Sequence, residues 1–340
     1  MLKFFKRRKI FAIKSIFSFF CFGFIFAYAQ NIKKEDRFKV WAFNDESKVG
    51  FNHVYKTALK DNIKDESLSD TENIKGLITV YLPKKEGKCP LILIVHGYAA
   101  SKFSVLPLGR ILASYGYAAA VFTSRKKEAP KDWIAPLSST YELLKEKNEN
   151  PEHKLYGLLD TENVGIAVHS LSGSAALYFA DFMPFVKAVT AIHPYNGASG
   201  FIERIAGKNE ELGDEFSEIR GAVLILTSET DVIAYPEKTY RFFKNLNKNT
   251  AACFLSFKNI NHNDCLDTYR IEIFGGYHKE NFSLYSYLIT SWFDLFLKNE
   301  KHNLELFKKN GKRFSEIKHL LYTDTKRKHG DYPNYDSRNL

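Results

Sequence analysis

Short apolar, β-prone runs alternate with helical patterns along most of the chain, and this alternation constrains the fold more than any other feature. The β-prone runs are residues 76–82, 90–96, 117–123, 164–169, 187–193, 221–227 and 252–257. The clearest helical patterns are residues 106–115, 138–147, 171–182, 236–246 and 281–297. Strands that alternate with helices predict an α/β fold, with a mostly parallel, doubly wound sheet flanked by helices.

The rest of the chain divides around this core. Of the 340 residues, 1–29 are predicted to be a targeting segment, and 30–75 a polar entry with an edge strand. Residues 76–300 are predicted to form one domain, since no repeat or long linker interrupts them. Residues 301–340 are predicted to be a polar extension, with a helix around 303–321 and a tail that frays from Asp324 onward.

The amino terminus has the pattern of a secretory signal. Basic residues precede an apolar run at 17–26, and Ala27-Tyr28-Ala29 is an A-x-A cleavage site before Gln30. The apolar run is short for a membrane span. The pattern predicts export to the periplasm or beyond the cell, and the alternative is an uncleaved N-terminal membrane anchor.

Charge and cysteine content limit the partners and the covalent structure. The net charge is +10, and cleavage after residue 29 removes six basic residues and leaves +4. This mild excess gives no case for nucleic-acid binding. Three cysteines remain after cleavage, so one internal disulfide is possible, and the short spacing of Cys253 and Cys265 predicts that pair.

A serine lies at the tip of a predicted strand-to-helix turn, His169-Ser170-Leu171-Ser172-Gly173. This is the shape of a nucleophile elbow, in which a hydroxyl stands at a strand end above a helix N-terminus. Ser170 is the candidate nucleophile. The usual flanking glycines are replaced by Val168 and Ser172. Alternatives are a simple helix N-cap serine and a frame shift to Ser172.

The other strand ends offer the remaining parts of a hydrolytic site. After 90–96 the loop at Gly97 puts the Tyr98 amide where, with the Leu171 amide, it can receive an oxyanion. After 221–227 comes Asp231, with Glu229 as its rival for the acid, and after 252–257 comes His262. Serine, aspartate and histidine in this order match the α/β-hydrolase triad, which needs no metal or organic cofactor.

The sequence is similar to the α/β-hydrolase superfamily, specifically to dienelactone hydrolases and bacterial cutinase-like polyester hydrolases, over residues 76–297. The resemblance is carried by the loop 96–101 with the helix after it, the elbow, Ile192-His193-Pro194-Tyr195, the acid loop 230–234 and Asn261-His262. It implies the triad Ser170, Asp231 and His262, with oxyanion amides from Tyr98 and Leu171. It also implies that the Tyr98 and Tyr195 side chains flank the substrate.

These features predict a serine hydrolase that cleaves a small or polymeric carboxylic ester through an acyl-enzyme. Residues 197–220 are long for this group and are interpreted as a partial cap over the site. Two alternatives stay open. One is a non-catalytic surface or binding protein on a hydrolase scaffold, motivated by Val168 and Ser172 at the elbow. The other is a peptide or amide hydrolase with the same triad.

Overall fold

The structure is a computed structural model that describes residues 63–68, 78–83, 87–124, 129–195, 216–266, 279–321 and 332–340, with 63–68 and 279 as backbone only. The predicted signal or anchor at 1–29 lies outside the described residues. So do most of the predicted entry 30–75 and most of the predicted cap 197–220.

A nine-stranded sheet forms the centre of the described chain, with strand order β1-β2-β4-β3-β5-β6-β7-β8-β9. Strands β3 to β8 run parallel to one another, whereas β1 and β2 at one edge and β9 at the other pair antiparallel with their neighbours. The strands are β1 (Ile63–Leu68), β2 (Ile78–Pro83), β3 (Cys89–Val95), β4 (Ala118–Phe122), β5 (Leu159–His169), β6 (Val186–Ile192), β7 (Ala222–Ser228), β8 (Ala252–Phe257) and β9 (Tyr335–Arg338).

Helices cover both faces of this sheet. They are α1 (Leu106–Ser114), α2 (Ile134–Glu149), α3 (Ser172–Phe182), α4 (Pro236–Asn245), α5 (Lys279–Leu297), α6 (Leu304–Phe307) and α7 (Ser315–Lys318). The apolar residues of α2, α3 and α4 belong to one buried cluster, and those of α1, α5, α6 and α7 belong to a second. The predicted doubly wound α/β fold is therefore confirmed.

Strand β3 shows that the sheet is buried on both faces. Leu91, Leu93 and Val95 lie in the first cluster, while Ile92 and Ile94 lie in the second. Successive side chains of a strand point to opposite faces, so a continuously apolar run fits only a strand with helices on each side. Burial of this apolar surface is the main stabilising contribution to such a core.

The carboxyl-terminal region differs from its prediction. Instead of one helix over 303–321, the chain forms the short helices α6 and α7. Residues 335–338 do not fray but pair with β8 as strand β9. The Tyr335 hydroxyl donates to the Phe307 carbonyl at 2.7 Å, and the Tyr240 hydroxyl donates to Asp336 Oδ2 at 2.7 Å. These side-chain bonds attach a polar strand that has little apolar surface of its own.

The predicted Cys253–Cys265 disulfide is wrong. Both residues are buried free thiols. Cys253 lies near the amino end of β8, whereas Cys265 lies in the loop beyond its carboxyl end, with Sγ 3.5 Å from the His262 carbonyl oxygen. A strand advances about 3.3 Å per residue, so β8 itself separates the two thiols by more than a disulfide can bridge. Burial raises the pKa of both thiols well above its usual value.

Within the described part of the chain, no helix combines the length and the apolar character that crossing a bilayer would require.

Candidate active site

The carboxyl end of β5 leads into α3 through a turn with Ser170 at its tip. Ser170 has a φ of +59°, a left-handed conformation that costs a non-glycine residue about 1–2 kcal/mol. Backbone bonds hold it there: the Ser170 amide donates to the Ile192 carbonyl at 2.9 Å, and the Tyr195 amide donates to the Ser170 carbonyl at 3.0 Å. The surrounding backbone thus fixes the hydroxyl-bearing residue at the N-terminal end of α3.

The unusual elbow residues have a structural explanation. Val168 is buried in the first apolar cluster. Ser172 is also buried, and its hydroxyl donates to the His169 carbonyl at 2.9 Å. Glycine is instead required at two other positions. A Cβ on Gly173 would lie 2.4 Å from Pro194 Cβ, and one on Gly97 would lie 2.8 Å from Ser170 Cβ. The turn therefore keeps its two close approaches without the usual glycine positions.

Asp231 lies in the loop after β7, with 2% of its surface exposed. Its Oδ1 accepts the amides of Ile233 at 2.8 Å and Ala234 at 2.9 Å. Burial alone would raise the pKa of this carboxyl, but His262 and His193, which face it and donate to it, hold the pKa well below its usual range. Asp231 is therefore an ionised, hydrogen-bonded carboxylate.

The rival acid Glu229 has a different place. Its Oε1 accepts the Asn259 amide at 2.9 Å, and its Oε2 accepts the Ser228 hydroxyl at 3.1 Å. The bond to Asn259 connects the loop after β7 to the loop after β8, whereas the bond to Ser228 joins neighbouring residues at the end of β7. Glu229 therefore supports the histidine-bearing loop and does not contact the histidine ring.

The structure brings Ser170, Asp231 and His262 together. His262 Nε2 lies 2.8 Å from Ser170 Oγ, and His262 Nδ1 lies 2.8 Å from Asp231 Oδ2. A carboxylate only accepts, so His262 carries its proton on Nδ1, and Nε2 is left to accept the serine proton. An unbroken chain of hydrogen bonds thus runs from the Ser170 hydroxyl to the Asp231 carboxylate.

His169, beside the serine, does not serve as the base. Its Nε2 donates to the His262 carbonyl at 2.8 Å, which holds the loop that carries His262. Burial lowers the pKa of His169 well below its ordinary value, and the neighbouring His262 and His193 lower it further. His169 is therefore a neutral histidine that supports the loop after β8.

The predicted oxyanion and substrate residues lie next to the serine in sequence or space. Leu171 follows it as the N-cap of α3, while Tyr98 follows Gly97, whose close approach to Ser170 brings this loop beside the elbow. Tyr98 is half-buried against the first cluster, and Tyr195 is buried with 4% exposure. Contact of either side chain with substrate stays a prediction.

Sequence reasoning missed His193 and Tyr285. His193 Nδ1 lies 2.6 Å from Asp231 Oδ2, and Tyr285 Oη lies 2.9 Å from His193 Nε2. The available signal was the position of His193, directly after β6 and between the strands that lead to Ser170 and Asp231. Tyr285 comes from α5 and carries no local signal.

Three side chains at this site could in principle hold a metal ion. Ligand atoms of His193, Asp231 and His262 lie within 4.8 Å of one another. However, Asp231 Oδ2 accepts from both histidines, and the far nitrogens of these histidines face Tyr285 and Ser170. Each of these ligand atoms already takes part in a hydrogen bond, and the arrangement is suited to proton transfer between side chains.

Comparison with known proteins places the chain among cutinase-like sequences. A family model described as PETase, PET hydrolase-like, matches residues 58–303. Cutinase est1 of Thermobifida alba is 22% identical over 188 residues, which are 54% of this chain and 57% of that protein. Cutinase 2 of Thermobifida cellulosilytica is 21% identical over 187 residues, covering 54% and 64% of the two chains, respectively.

Cutinase cut1 of Thermobifida fusca is also 21% identical over 187 residues, covering 54% of this chain and 53% of that protein. The chain thus spans between about half and two thirds of the length of the curated relatives it matches. The resemblance to cutinase-like α/β-hydrolases is confirmed. Because the family model matches residues 58–303, well over half of the chain, the chain belongs to the PETase, PET hydrolase-like, family.

Proposed function

We propose that this protein is a serine hydrolase that cleaves carboxylic esters, with Ser170 as nucleophile, His262 as base and Asp231 as the acid that orients it. The observation that carries the proposal is the hydrogen-bond chain from Ser170 Oγ through His262 to Asp231. Membership of a family named for PET hydrolysis and similarity to proteins named cutinases support the ester as the bond that is cleaved.

The mechanism follows from the positions of the protons. His262 Nε2 takes the Ser170 proton as Oγ attacks the ester carbonyl, and the carbonyl oxygen becomes an oxyanion. The amides of Tyr98 and Leu171 are proposed to receive that oxyanion, at the N-terminal end of α3 where the helix dipole favours negative charge. Asp231 stabilises the imidazolium that forms.

The second half of the reaction repeats these roles with water. His262 gives its Nε2 proton to the alcohol oxygen, so the alcohol leaves and an acyl-Ser170 ester remains. Water then attacks the acyl carbonyl while His262 takes its proton. The bond between the acyl carbon and Oγ breaks, His262 returns the proton to Ser170 Oγ, and the carboxylic acid leaves. The left-handed conformation of Ser170 keeps Oγ at the strand end throughout.

The first experiment is hydrolysis of p-nitrophenyl esters of increasing acyl length by the wild type, Ser170→Ala and Ser172→Ala. Loss of the nucleophile is expected to lower kcat by roughly 10⁴- to 10⁶-fold. Ser172→Ala is the matched control, since its hydroxyl binds the His169 carbonyl, and its activity should stay within a few-fold of the wild type.

An active Ser170→Ala protein would contradict the assignment. A fluorophosphonate probe should label the wild type and Ser172→Ala but not Ser170→Ala. A folded wild type that neither reacts with the probe nor turns over an ester would favour the non-catalytic alternative. Labelling without ester turnover would favour an amide substrate.

Export is also proposed, with residues 1–29 as the cleaved signal, 30–75 as an entry segment, 76–300 as the catalytic domain and 301–340 as an extension. The six basic residues, the apolar run and the Ala27-Tyr28-Ala29 site support it. Amino-terminal sequencing of the protein after expression in its host should give Gln30. Intact Met1 on membrane-bound protein would instead indicate an uncleaved anchor.

A further inference from the structure

Asp231 is shared by two histidines, of which His262 bonds to the serine and His193 bonds to Tyr285. Its Oδ2 accepts a hydrogen bond from His262 Nδ1 at 2.8 Å and another from His193 Nδ1 at 2.6 Å. Its Oδ1 is occupied by two backbone amides. A triad requires only the bond to His262, so the His193 bond needs a separate explanation.

The protons of this second chain can be assigned from its partners. Asp231 is ionised and only accepts, so the His193 proton lies on Nδ1 and leaves a lone pair on Nε2. The Tyr285 hydroxyl therefore donates to His193 Nε2 at 2.9 Å. The two rings also stack, with centroids 5.5 Å apart and planes 9° apart. Tyr285 thus fixes both the tautomer and the orientation of His193.

His193 cannot be the base that deprotonates the serine. It is completely buried, and its Nε2 faces Tyr285, while His262 already occupies the hydrogen-bonding position at Ser170 Oγ. Its position is nevertheless constrained, since its backbone has a φ of +45° and its amide donates to the Leu226 carbonyl at 2.7 Å. A buried histidine held in this way at the catalytic carboxylate affects the reaction through that carboxylate.

We propose that His193, oriented by Tyr285, is a positioning residue that fixes the Asp231 carboxylate and takes up part of its negative charge, so that His193 and His262 together set how strongly Asp231 acts on the catalytic base. This inference rests on the proposed triad. The His193 ring bonds to Asp231 and Tyr285, whereas His262 bonds to Ser170 Oγ, so neither His193 nor Tyr285 is needed for the proton transfers of the reaction.

The charged and titratable groups around His193 are accounted for. Asp231 and His262 face it directly, and Asp264 acts on it from the loop after β8. His169 lies at the end of β5, with ring centroids 6.4 Å apart, and Tyr285 covers it from α5. Burial lowers the pKa of His193 even though its bond to Asp231 acts in the opposite direction, so it donates to Asp231 as a neutral ring.

The consequence for the base follows from electrostatics. When His193 donates to Oδ2, less of the carboxylate charge is available to stabilise a protonated His262. Removing the donor should therefore strengthen the interaction of Asp231 with a protonated His262 and move the acidic limb of kcat/KM to higher pH. It should also weaken the positioning of Asp231 and lower kcat. KM for a small ester should change little, because His193 is completely buried.

The first test observes the bond without turnover. In protein labelled with ¹⁵N-histidine, slowly exchanging, downfield imidazole N–H signals are expected from His193 Nδ1 and His262 Nδ1, beside that of the buried His169 Nε2, which donates to a carbonyl. His193→Asn should remove the His193 signal and leave the His262 signal. A spectrum in which His193 contributes no such signal would overturn the proposal, and this result does not depend on whether the protein hydrolyses esters.

The second test compares His193→Ala, His193→Asn and Tyr285→Phe. Loss of a charge-assisted hydrogen bond predicts a fall in kcat of about tenfold for His193→Ala, with an upward shift of the acidic limb by roughly half a pH unit. Asparagine carries an N–H on the atom that corresponds to Nδ1 and tolerates a positive φ. His193→Asn should therefore recover most of the activity and return the acidic limb towards the wild type.

Tyr285→Phe leaves the strand end untouched, so it keeps the test valid if His193→Ala fails to fold. It should shift the limb in the same direction by a smaller amount. Equal losses of kcat in His193→Ala and His193→Asn, with no change in the pH profile, would show a merely structural role and overturn the proposal. An inactive Ser170→Ala protein alongside that result would leave the proposed triad intact.

Discussion

Asp231 is the residue on which the polar interior of the proposed site converges. Four donors meet its two oxygens: two backbone amides and two histidine rings. A carboxylate has lone pairs for all four. The full set explains how a charge can be kept with only 2% of the residue exposed, since a buried carboxylate without such partners would take up a proton.

The Asp231→Asn variant tests this residue. An amide at position 231 has one acceptor oxygen and cannot receive both histidines and both amides, so His262 is expected to lose its tautomer and orientation. A fall in kcat on the order of 10⁴-fold follows, by comparison with other triads. Steady-state kinetics on a soluble ester at neutral pH measures this effect.

Glu229→Gln is the matched control for Asp231→Asn. Glu229 bonds to Ser228 and Asn259 but not to the imidazole, so its amide should keep activity within a few-fold and lower the stability slightly. The opposite result, with Asp231→Asn active and Glu229→Gln inactive, would assign the acid to Glu229.

At the scale of elements, the turn between β5 and α3 depends on close contact with the turn after β6. Gly173 packs against Pro194, and the Tyr195 amide binds the Ser170 carbonyl. The glycine expected two residues after the serine, where Ser172 stands, is absent because this turn makes its closest approach one residue later, at Gly173. The two turns therefore act as one unit that holds Ser170 in its left-handed conformation.

Gly173→Ala should disturb that unit. The new Cβ would lie 2.4 Å from Pro194 Cβ and 2.8 Å from Pro194 Cα, so the backbone must move. Overpacking of this kind costs about 1–3 kcal/mol, which outweighs the roughly 1 kcal/mol that alanine gains over glycine in a helix. Urea unfolding should give a lower free energy of unfolding, and kcat should fall as Ser170 shifts.

Ser174→Ala is the control for the same helix. Its hydroxyl makes one long bond of 3.4 Å to the Tyr195 carbonyl, and a smaller side chain adds no contact with Pro194. Its free energy of unfolding should stay within about 1 kcal/mol of the wild type. A Gly173→Ala protein as stable and active as Ser174→Ala would show that the two turns do not need this close approach.

The sequence predicts elements well where apolar burial decides them. Parallel strands such as β3 and β8 are continuous apolar runs, so the sequence predicts their bounds to within one residue. Strand β9 could not be predicted, because its residues are polar and only its pairing with β8 makes it a strand. The short spacing of Cys253 and Cys265 predicts a disulfide, but spacing alone does not show that a strand separates the two thiols.

The proposed site could be predicted in part for a related reason. Ser170, Asp231 and His262 each follow a strand that the sequence reveals, and strand ends in such sheets meet at one edge. His193 follows a strand as well, but the expected triad already had its histidine. Tyr285 reaches the site from the middle of α5, where a tyrosine in an apolar helix resembles any other core residue.

For the whole molecule, the buried histidines link the site to stability. His169 and His193 are almost fully buried, and burial lowers the pKa of each below the ordinary value near 6.5. As pH falls below about 6.5, the unfolded chain binds protons on these residues while the folded chain does not. Since the unfolded state then holds more protons, the free energy of unfolding must fall as the pH is lowered.

The size and sign of this effect can be measured by urea unfolding between pH 7 and pH 5. Each histidine that stays neutral in the fold contributes up to about 1.4 kcal/mol per pH unit below its unfolded pKa. His193→Asn should therefore reduce the slope of the unfolding free energy against pH by up to about 1.4 kcal/mol per pH unit, which corresponds to one proton. His302 is exposed in the folded chain, so His302→Asn is the control and should leave the slope unchanged.

Asp231 changes the free energy of unfolding in a lower pH range than the histidines, so the two effects can be measured separately. Its pKa is depressed in the fold, so its contribution is complete above the unfolded value near 3.9 and is lost as the pH falls below it. Between pH 7 and pH 5 Asp231 is ionised in both states and contributes no slope. A His193→Asn slope equal to that of the wild type would mean that His193 is protonated in the fold, and the neutral ring that donates to Asp231 would be excluded.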